Sequence, residues 1–413
     1  MLQTTNCLLA INNYYYPRGG AEVLFLEHNR MFENIGWQVV PFAMRHAKNL
    51  ATPWSDYFPD EIEFGAEYSF AAKLARAPRV IYSRQARQRM RALLAAAQPQ
   101  IAHVHNIYHH LSPSVLPLLK ERGIPVVMTL HDLKLACPAY TMMRAGKPCE
   151  SCRGGKLYNV AVHRCIKGSL GLSSLIMLEA YVHRALDIYG GNVDRFIVPS
   201  RFLLERLVEW GWARDRFVHI PNFVDLDRFR PGAEAGRRFV YCGRLDELKG
   251  LETLVRAAAL ARQPVTLIGR GPLETQLRAL SAALGADVCF AGYLTKDALA
   301  TAIGEARAVV VPSECHENAP LALLEAYAVG RPVIGSDIAG IPELVRQDET
   351  GMLYRTGDAA ALADALSSFA ALPGTRVAAM GAAARAWVER DFNAAVYLER
   401  QLGLYDSLRA RVR

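Results

Sequence analysis

The densest run of reactive side chains is Pro312-Ser313-Glu314-Cys315-His316-Glu317-Asn318-Ala319-Pro320-Leu321, with a further carboxylate at Glu325. Val309–Val311 before it reads as a buried strand, and 319–329 after it as a helix. Glu317 thus falls in a loop at a strand's carboxyl end, where open α/β sheets bind ligands. Asn318 is placed to cap the helix and Pro320 to sit in its first turn, leaving free amides that attract an anion. Carboxylates accept several hydrogen bonds at once, which suits a hydroxyl-rich ligand. A surface loop with a helix-face glutamate is the plain alternative. Leu323, Leu324, Ala326 and Tyr327 around Glu325 argue against a fully solvated face and favour a functional one.

A second loop, Gly243-Arg244-Leu245-Asp246-Glu247-Leu248-Lys249-Gly250, follows the strand Phe239–Cys242. Arg244 offers a planar fork and Lys249 a point charge, a pair able to clamp a diphosphate. Pairing of both with Asp246 and Glu247 in a solvated turn is an equal alternative. Gly269-Arg270-Gly271-Pro272-Leu273-Glu274 begins like a dinucleotide fingerprint, but Glu274 stands where the third glycine belongs, which weakens a nicotinamide reading. Gly19-Gly20-Ala21-Glu22 either lets a ligand approach the backbone or simply makes a tight turn. His131-Asp132 ends the strand Val126–Leu130, and His103, His105, Asn106, His109 and His110 follow Ile101. Cys137, Cys149, Cys152 and Cys165 form C-x11-C-x2-C-x12-C, which could hold a structural zinc with His163 able to replace one ligand. Four reduced thiols, with Cys137 merely packing, are the alternative.

These loops need elements to carry them. Cys7–Ile11, Val39–Phe42, Ile101–Val104, Val126–Leu130 and Phe196–Val198 read as strands, and a helix follows the first at about 21–35. Phe239–Cys242, Val265–Ile268, Val288–Phe290, Val309–Val311 and Val333–Ile334 repeat the pattern, with helices near 251–262, 273–284, 296–304 and 319–329. Short apolar runs alternating with helices predict an α/β fold: two Rossmann-like, doubly wound parallel sheets facing a cleft. The reactive loops then open on that one cleft. The expected division is 1–225, with an inserted cysteine-containing loop at 137–170; 226–391; and a helix at 392–413 returning to the first domain. Phe223–Arg238, with Pro231, Gly232 and Gly236, reads as the linker. Leu398, Leu402 and Tyr405 share one face of the last helix.

A chain of 413 residues, 51% hydrophobic and 21% charged, fits two soluble domains, and a net charge of +8 favours anionic partners. Met1–Ile11 lacks a signal peptide's pattern, and no apolar run reaches the ~20 residues of a spanning helix. The expected location is cytoplasmic, with reduced cysteines.

The ordered motifs resemble the retaining glycosyltransferases of family 4, also called group 1, which have the GT-B fold. The likeness runs through Gly19-Gly20-Ala21-Glu22, Pro199-Ser200-x-Phe202, Pro221-Asn222-x-Val224-Asp225, Gly243-Arg244-Leu245 with Lys249-Gly250, the Glu317-to-Glu325 spacing, Gly330-x-Pro332-Val333-Ile334, Gly340-Ile341-Pro342-Glu343 and Thr350-Gly351. The resemblance implies transfer of a hexose-type sugar from a nucleoside-diphosphate sugar to a glycan or polyprenyl-diphosphate-linked acceptor in cell-surface polysaccharide biosynthesis. It implies that Arg244 and Lys249 hold the diphosphate, Glu317 the sugar hydroxyls and Glu325 the ribose. The backbone of Asn318, Ala319, Pro320 and Leu321, with Gly243 and Gly271, completes the donor site, and Gly19 and Gly20 approach from the other domain. His105, Asn106, His131 and Asp132 are expected at the acceptor. His131, Glu317, Arg244 and Lys249 are the expected catalytic set, with no cofactor required for catalysis. The family often has Gly-Phe-Gly where this chain has Asn318-Ala319-Pro320, a departure that bears on the donor sugar.

From Tyr68 to Lys120 there is no acidic residue, while Lys73, Arg76, Arg79, Arg84, Arg87, Arg89 and Arg91 alternate with apolar side chains. Such a face could dock peripherally on the anionic inner leaflet of the cytoplasmic membrane; a solvated helix is the alternative. No nucleic-acid module is present. Two other classes stay open: another enzyme on the same fold, such as a nucleotide-sugar epimerase or a phosphorylase, and a non-catalytic nucleotide-sugar binder. Release of nucleoside diphosphate without a glycoside product marks the former, and ligand binding without turnover the latter.

Overall fold

The computed structural model describes residues 6–62, 77–232 and 234–410, with Lys296 in its backbone only. The first sheet contains β1 (Cys7–Ile11), β2 (Gln38–Phe42), β3 (Ile101–Val104), β4 (Val126–Thr129), β7 (Arg195–Val198) and β8 (Phe217–His219), in the order β2-β1-β3-β4-β7-β8. Between β4 and β7 a small antiparallel hairpin pairs β5 (Met143–Arg144) with β6 (Lys147–Pro148). The second sheet runs β11 (Val288–Gly292), β10 (Val265–Ile268), β9 (Phe239–Cys242), β12 (Val309–Val311), β13 (Val333–Ser336) and β14 (Gly351–Tyr354). Every pairing in the two large sheets is parallel.

Both faces of each sheet are covered, and the two-residue strand period shows why. Cys7, Leu9 and Ile11 join one apolar cluster, while Leu8 and Ala10 join the cluster on the opposite face. In the second sheet Val310 packs on one side and Val309 and Val311 on the other. Crossover helices supply the covering layers, as parallel sheets require. Strand order reverses between β1 and β3 and again between β9 and β12. Crevices at such switch points open at the strands' carboxyl ends. Gly19-Gly20, His105-Asn106, Gly243–Gly250 and Pro312–Leu321 all follow those four strands.

β8 and β14 escape the sequence pattern. β8 is three residues directly after the charged turn Arg214–Arg216, and β14 opens on a glycine. The segment 137–170 is not irregular, since it holds the hairpin and the short helix Asn159–Val162, and it leads into the helix Leu170–Ala185.

The helix Ala394–Arg409, capped by Asn393 Oδ1 accepting from the Val396 amide, packs on the first sheet rather than the second. Tyr397, Gln401, Tyr405 and Leu408 form its buried face. Leu398 and Leu402 contribute from its margin. Tyr397 OH lies 3.2 Å from His28 Nδ1, and Tyr405 OH lies 2.6 Å from His103 Nδ1. The chain therefore crosses between sheets twice, and the crossings touch: the Val224 amide donates to the Phe392 carbonyl at 2.9 Å. The expected linker is well packed there, with Val224 and Phe229 buried in the second sheet's core.

Candidate functional site

Glycines set the loops of the second sheet against one another. A Cβ on Gly250, whose φ is +65°, would lie 1.8 Å from the Pro312 carbonyl oxygen, so the Gly243–Gly250 and Pro312–Leu321 loops touch backbone to backbone. A Cβ on Gly271 would meet the Leu245 carbonyl at 2.2 Å, which brings the third loop into the same stack. Gly243 adopts a φ of +155°, close to extended backbone.

That contact places Lys249 beside Glu317: the ammonium pairs with Glu317 Oε1, which also accepts from Ser313 Oγ at 2.8 Å. Burial alone would lower the Lys249 ammonium's pKa, but the fields of Glu317 and Cys315 outweigh it and leave it raised. Arg244 is exposed and pairs with Asp246 at 2.7 Å. One of the two cations therefore meets a near neighbour in its own turn, while the other reaches a carboxylate 68 residues away.

The helix after this loop, Leu321–Ala328, starts two residues later than the sequence suggested. Pro320 occupies the cap position with extended backbone, and its ring has no acceptor to cap the helix; Asn318 is engaged elsewhere. Asn318 Nδ2 donates to the Leu130 carbonyl at 3.0 Å, and its Oδ1 accepts from Ser200 Oγ at 2.5 Å. Ala319 O accepts from Asn222 Nδ2 at 2.9 Å. Glu325 is half-buried on the helix, and its charge helps burial to raise the Cys242 thiol's pKa. Across the cleft, Gly19 precedes and Gly20 begins the helix Gly20–Asn34. A Cβ on Gly20 would lie 3.5 Å from Leu321 Cδ1.

The two sheets thus meet through specific bonds. Glu343 had no role in the sequence reading: its carboxylate accepts from the Arg201 amide at 2.8 Å and from the Phe202 amide, at the start of the helix Arg201–Glu209. His316 stacks on Phe202 with ring centroids 5.5 Å apart, and its Nδ1 lies 3.1 Å from the Thr141 carbonyl. The visible signal was the pair of motifs Pro199-Ser200-x-Phe202 and Gly340-Ile341-Pro342-Glu343. That they pair with each other could not be read from either.

Leu130, held by Asn318, precedes His131. His131 Nε2 lies 2.9 Å from His105 Nδ1 with the rings stacked, and burial lowers its pKa to about 4. Burial raises the neighbouring Asp132 carboxyl to about 6, and its Oδ1 accepts from the Lys134 amide at 2.9 Å. Asn106 is fixed through its backbone, donating to Asn12 Oδ1 and accepting from the Asn13 amide. His103 is not at the cleft but under the sheet, bonded to Thr129 Oγ1 and Tyr405 OH.

The four cysteines of the insertion do converge. Cys137, Cys149, Cys152 and Cys165 line one cavity of about 10 Å³ together with His163, and all are free thiols. Among the described residues, however, no group of three or more His, Cys, Asp or Glu side chains could hold a metal ion, so the zinc set that the spacing allowed is not assembled. Burial explains the packing seen instead. It raises the thiols of Cys137 and Cys165, and that of Cys152 to about 12, and Cys137 and Cys165 pack against apolar Val160, Ile166 and Ile176.

The basic stretch is largely engaged. Arg87 pairs with Glu121 at 2.7 Å, Arg89 donates to the Asp56 carbonyl, and Arg79 donates to Gln85 and to the Asp60 carbonyl. Lys73 and Arg76 lie outside the described residues. A different face stands open. Tyr158, Val162, Leu170, Leu178, Tyr181 and Leu186 are six of the twelve exposed large hydrophobic side chains among the described residues. Arg153, Lys156, Arg164, Lys167 and Arg184 are exposed among them, and the only acid between 153 and 186 is the buried Glu179. Among the described residues no helix is long and apolar enough to cross a membrane.

Comparison with known proteins agrees with this architecture. Residues 18–228 match the model of glycosyltransferase family 4, and 236–371 that of glycosyl transferases group 1. The chain is 37% identical over 323 residues to a D-inositol 3-phosphate glycosyltransferase of Actinosynnema mirum, covering 70% of this chain and 69% of that one. It is 33% identical to the putative colanic acid biosynthesis glycosyltransferase WcaL of Escherichia coli, and 35% identical to the amylovoran biosynthesis glycosyltransferase AmsK of Erwinia amylovora. Those two matches cover 54% and 48% of this chain, and span 59% and 53% of the relatives' lengths. Among solved structures, sucrose-phosphate synthase from Thermosynechococcus elongatus superposes with a TM-score of 0.73 at 23% identity, over 99% of this chain and all of that one. Anabaena HepE in complex with UDP and glucose superposes at 0.68 and 15%, over 98% and all. At such identities the likeness is one of fold, GT-B. With a family model covering half of the chain, and two parallel sheets meeting at their carboxyl ends, this chain belongs to the group 1, family 4 glycosyltransferases.

Proposed function

We propose that the chain transfers a hexose-type sugar, with retention, from a nucleoside-diphosphate sugar to a glycan or polyprenyl-diphosphate-linked acceptor during cell-surface polysaccharide assembly. One observation carries the reading: the loop bearing the Lys249–Glu317 pair is also the loop whose Asn318 holds the carbonyl next to His131. That contact supports one crevice shared by a cation, a hydroxyl-binding carboxylate and an imidazole from opposite sheets. In this reading the second unit, 226–391, takes the donor, and the first, 1–225, takes the acceptor. Arg244 and Lys249 exchange their carboxylate partners for the diphosphate and stabilise the charge that grows on it as the bond to the sugar breaks. Glu317 holds sugar hydroxyls and Glu325 the ribose. The free amides at Leu321 and Gly20 line the path between. Relatives named for colanic acid and amylovoran biosynthesis support a polysaccharide acceptor. The apolar and basic face of 153–186 supports peripheral docking on an anionic membrane, where a lipid-linked acceptor would be met.

A panel of nucleoside-diphosphate sugars, scored by thermal shift and then by product analysis, tests the reading. At least one donor should stabilise the protein and yield a glycoside. Arg244→Ala should cut turnover of that donor about 100- to 1,000-fold, the scale of losing one charge-stabilising group. Binding without turnover, or release of free sugar alone with every acceptor, would sink it.

A further inference from the structure

We propose that His105 is a positioning residue that holds His131 in the tautomer protonated on Nδ1, so that the cleft imidazole meets the bound sugar as a hydrogen-bond donor. The role of His131 rests on the transfer reading above; the tautomer does not.

His105 Nδ1 and His131 Nε2 are 2.9 Å apart, so one of them carries the hydrogen and the other accepts it. Burial keeps both rings neutral, with the His105 pKa well below the ordinary range. Each ring therefore has one proton to place. If His131 donated from Nε2, the His105 proton would sit on its own Nε2. That atom is enclosed and has no hydrogen-bond partner. A buried N–H without an acceptor is costlier and rarer than a buried lone pair without a donor. The His105 proton therefore stays on Nδ1 and points at His131. His131 must accept at Nε2 and carry its own proton on Nδ1, an atom that, unlike His105 Nε2, is not among the enclosed and unpartnered polar atoms of the described residues.

The surroundings hold His105 in this pose. His103 packs against it at a tilt with ring centroids 4.5 Å apart, and Phe25 meets it edge-on at 5.0 Å. His103 is itself pinned by Thr129 Oγ1 at 2.7 Å and Tyr405 OH at 2.6 Å. The stack leads from the C-terminal helix to the cleft, and each ring limits the next.

The test uses ¹⁵N-histidine-labelled full chain at neutral pH without ligand, the His131 signals being identified by their loss in His131→Gln. The wild type should show His131 protonated on Nδ1. His105→Asn, whose amide can still donate from nearly the same place, should keep that signal. His105→Phe should move the proton toward Nε2 and lower kcat about 10- to 100-fold, the range expected of a misplaced reacting group. Donor-induced thermal shift should stay within about twofold of the wild type's, since binding of the nucleotide is not at stake. An Nε2-protonated His131 in the wild type, or an unchanged spectrum and kcat in a folded His105→Phe, would overturn the proposal. A chain with the Nδ1 signal that turns over no sugar nucleotide would overturn the transfer reading and leave the tautomer standing.

Discussion

His28 and His103 lie beneath the first sheet, bonded to tyrosines of the last helix, and they share the buried, neutral condition of His105, His109, His110 and His131. Burial lowers His28 to about 3 and His110 and His131 to about 4, and His103, His105 and His109 lie well below the ordinary value. In the unfolded chain each would take up a proton near pH 6.5. Below that pH the unfolded state binds protons that the folded state refuses. The stability these groups supply is therefore whole above pH 6.5 and is lost as pH falls toward 4 and 3, by up to about 1.4 kcal/mol per pH unit for each imidazole. Asp132 works the other way. Its raised carboxyl keeps a proton that the unfolded chain gives up near 3.8, so its contribution falls as pH rises from there to about 6. Burial raises the Glu22 carboxyl too, so two carboxyls oppose six imidazoles, and the imidazoles fix the sign: urea titrations should show stability dropping steeply between pH 6.5 and 5. A flat profile there would contradict the burial of these rings as neutral groups.

At the scale of elements, the loops after β9 and β12 act as one piece because a glycine lets them touch. Gly250→Ala would put a side chain 1.8 Å from the Pro312 carbonyl at a φ of +65°, with backbone on both sides unable to yield. The variant should lose at least about 2 kcal/mol of stability and, by separating Lys249 from Glu317, weaken donor binding as well. Denaturant midpoints and thermal shift with the donor check both. The sequence announced these loops well, because strand, glycine and charge occur at fixed short spacings that local rules read. It misplaced the helix cap for an equally physical reason: Asn318 has the right chemistry to cap the helix Leu321–Ala328, yet Leu130 and Ser200, from the other sheet, claim its amide first. The strands Phe217–His219 and Gly351–Tyr354 were invisible because they are short and stand at sheet edges, where pairing rather than composition defines them. The Glu343 contact to the Arg201–Glu209 helix was illegible, since nothing local tells a carboxylate which distant amides it will meet.

For the whole molecule, the exposed apolar side chains between Tyr158 and Tyr181 set that segment apart from an ordinary solvated face. On the helix Leu170–Ala185, Leu170, Leu178 and Tyr181 fall on one side, and Tyr181 OH touches the Tyr158 amide, joining the neighbouring segment to the stripe. Sedimentation with vesicles should show binding to anionic lipid and little to neutral lipid. Leu178→Ser with Tyr181→Ser should abolish it, while Arg84→Ala with Arg91→Ala, on the helix first suspected, should leave it unchanged. Equal binding to both vesicle types would remove the docking surface. The sequence pointed to another segment because it shows charges but not their partners, and Arg79, Arg87 and Arg89 of that segment are bonded within the protein.

The returning helix also orders events in time. Tyr397 and its neighbours complete a hydrophobic layer begun by His28, 369 positions earlier. While the polypeptide is being made, the opening half must wait with Phe25 and Phe32 uncovered until nearly everything else has emerged from the ribosome. The second sheet, whose core needs nothing from that helix, is free to finish first.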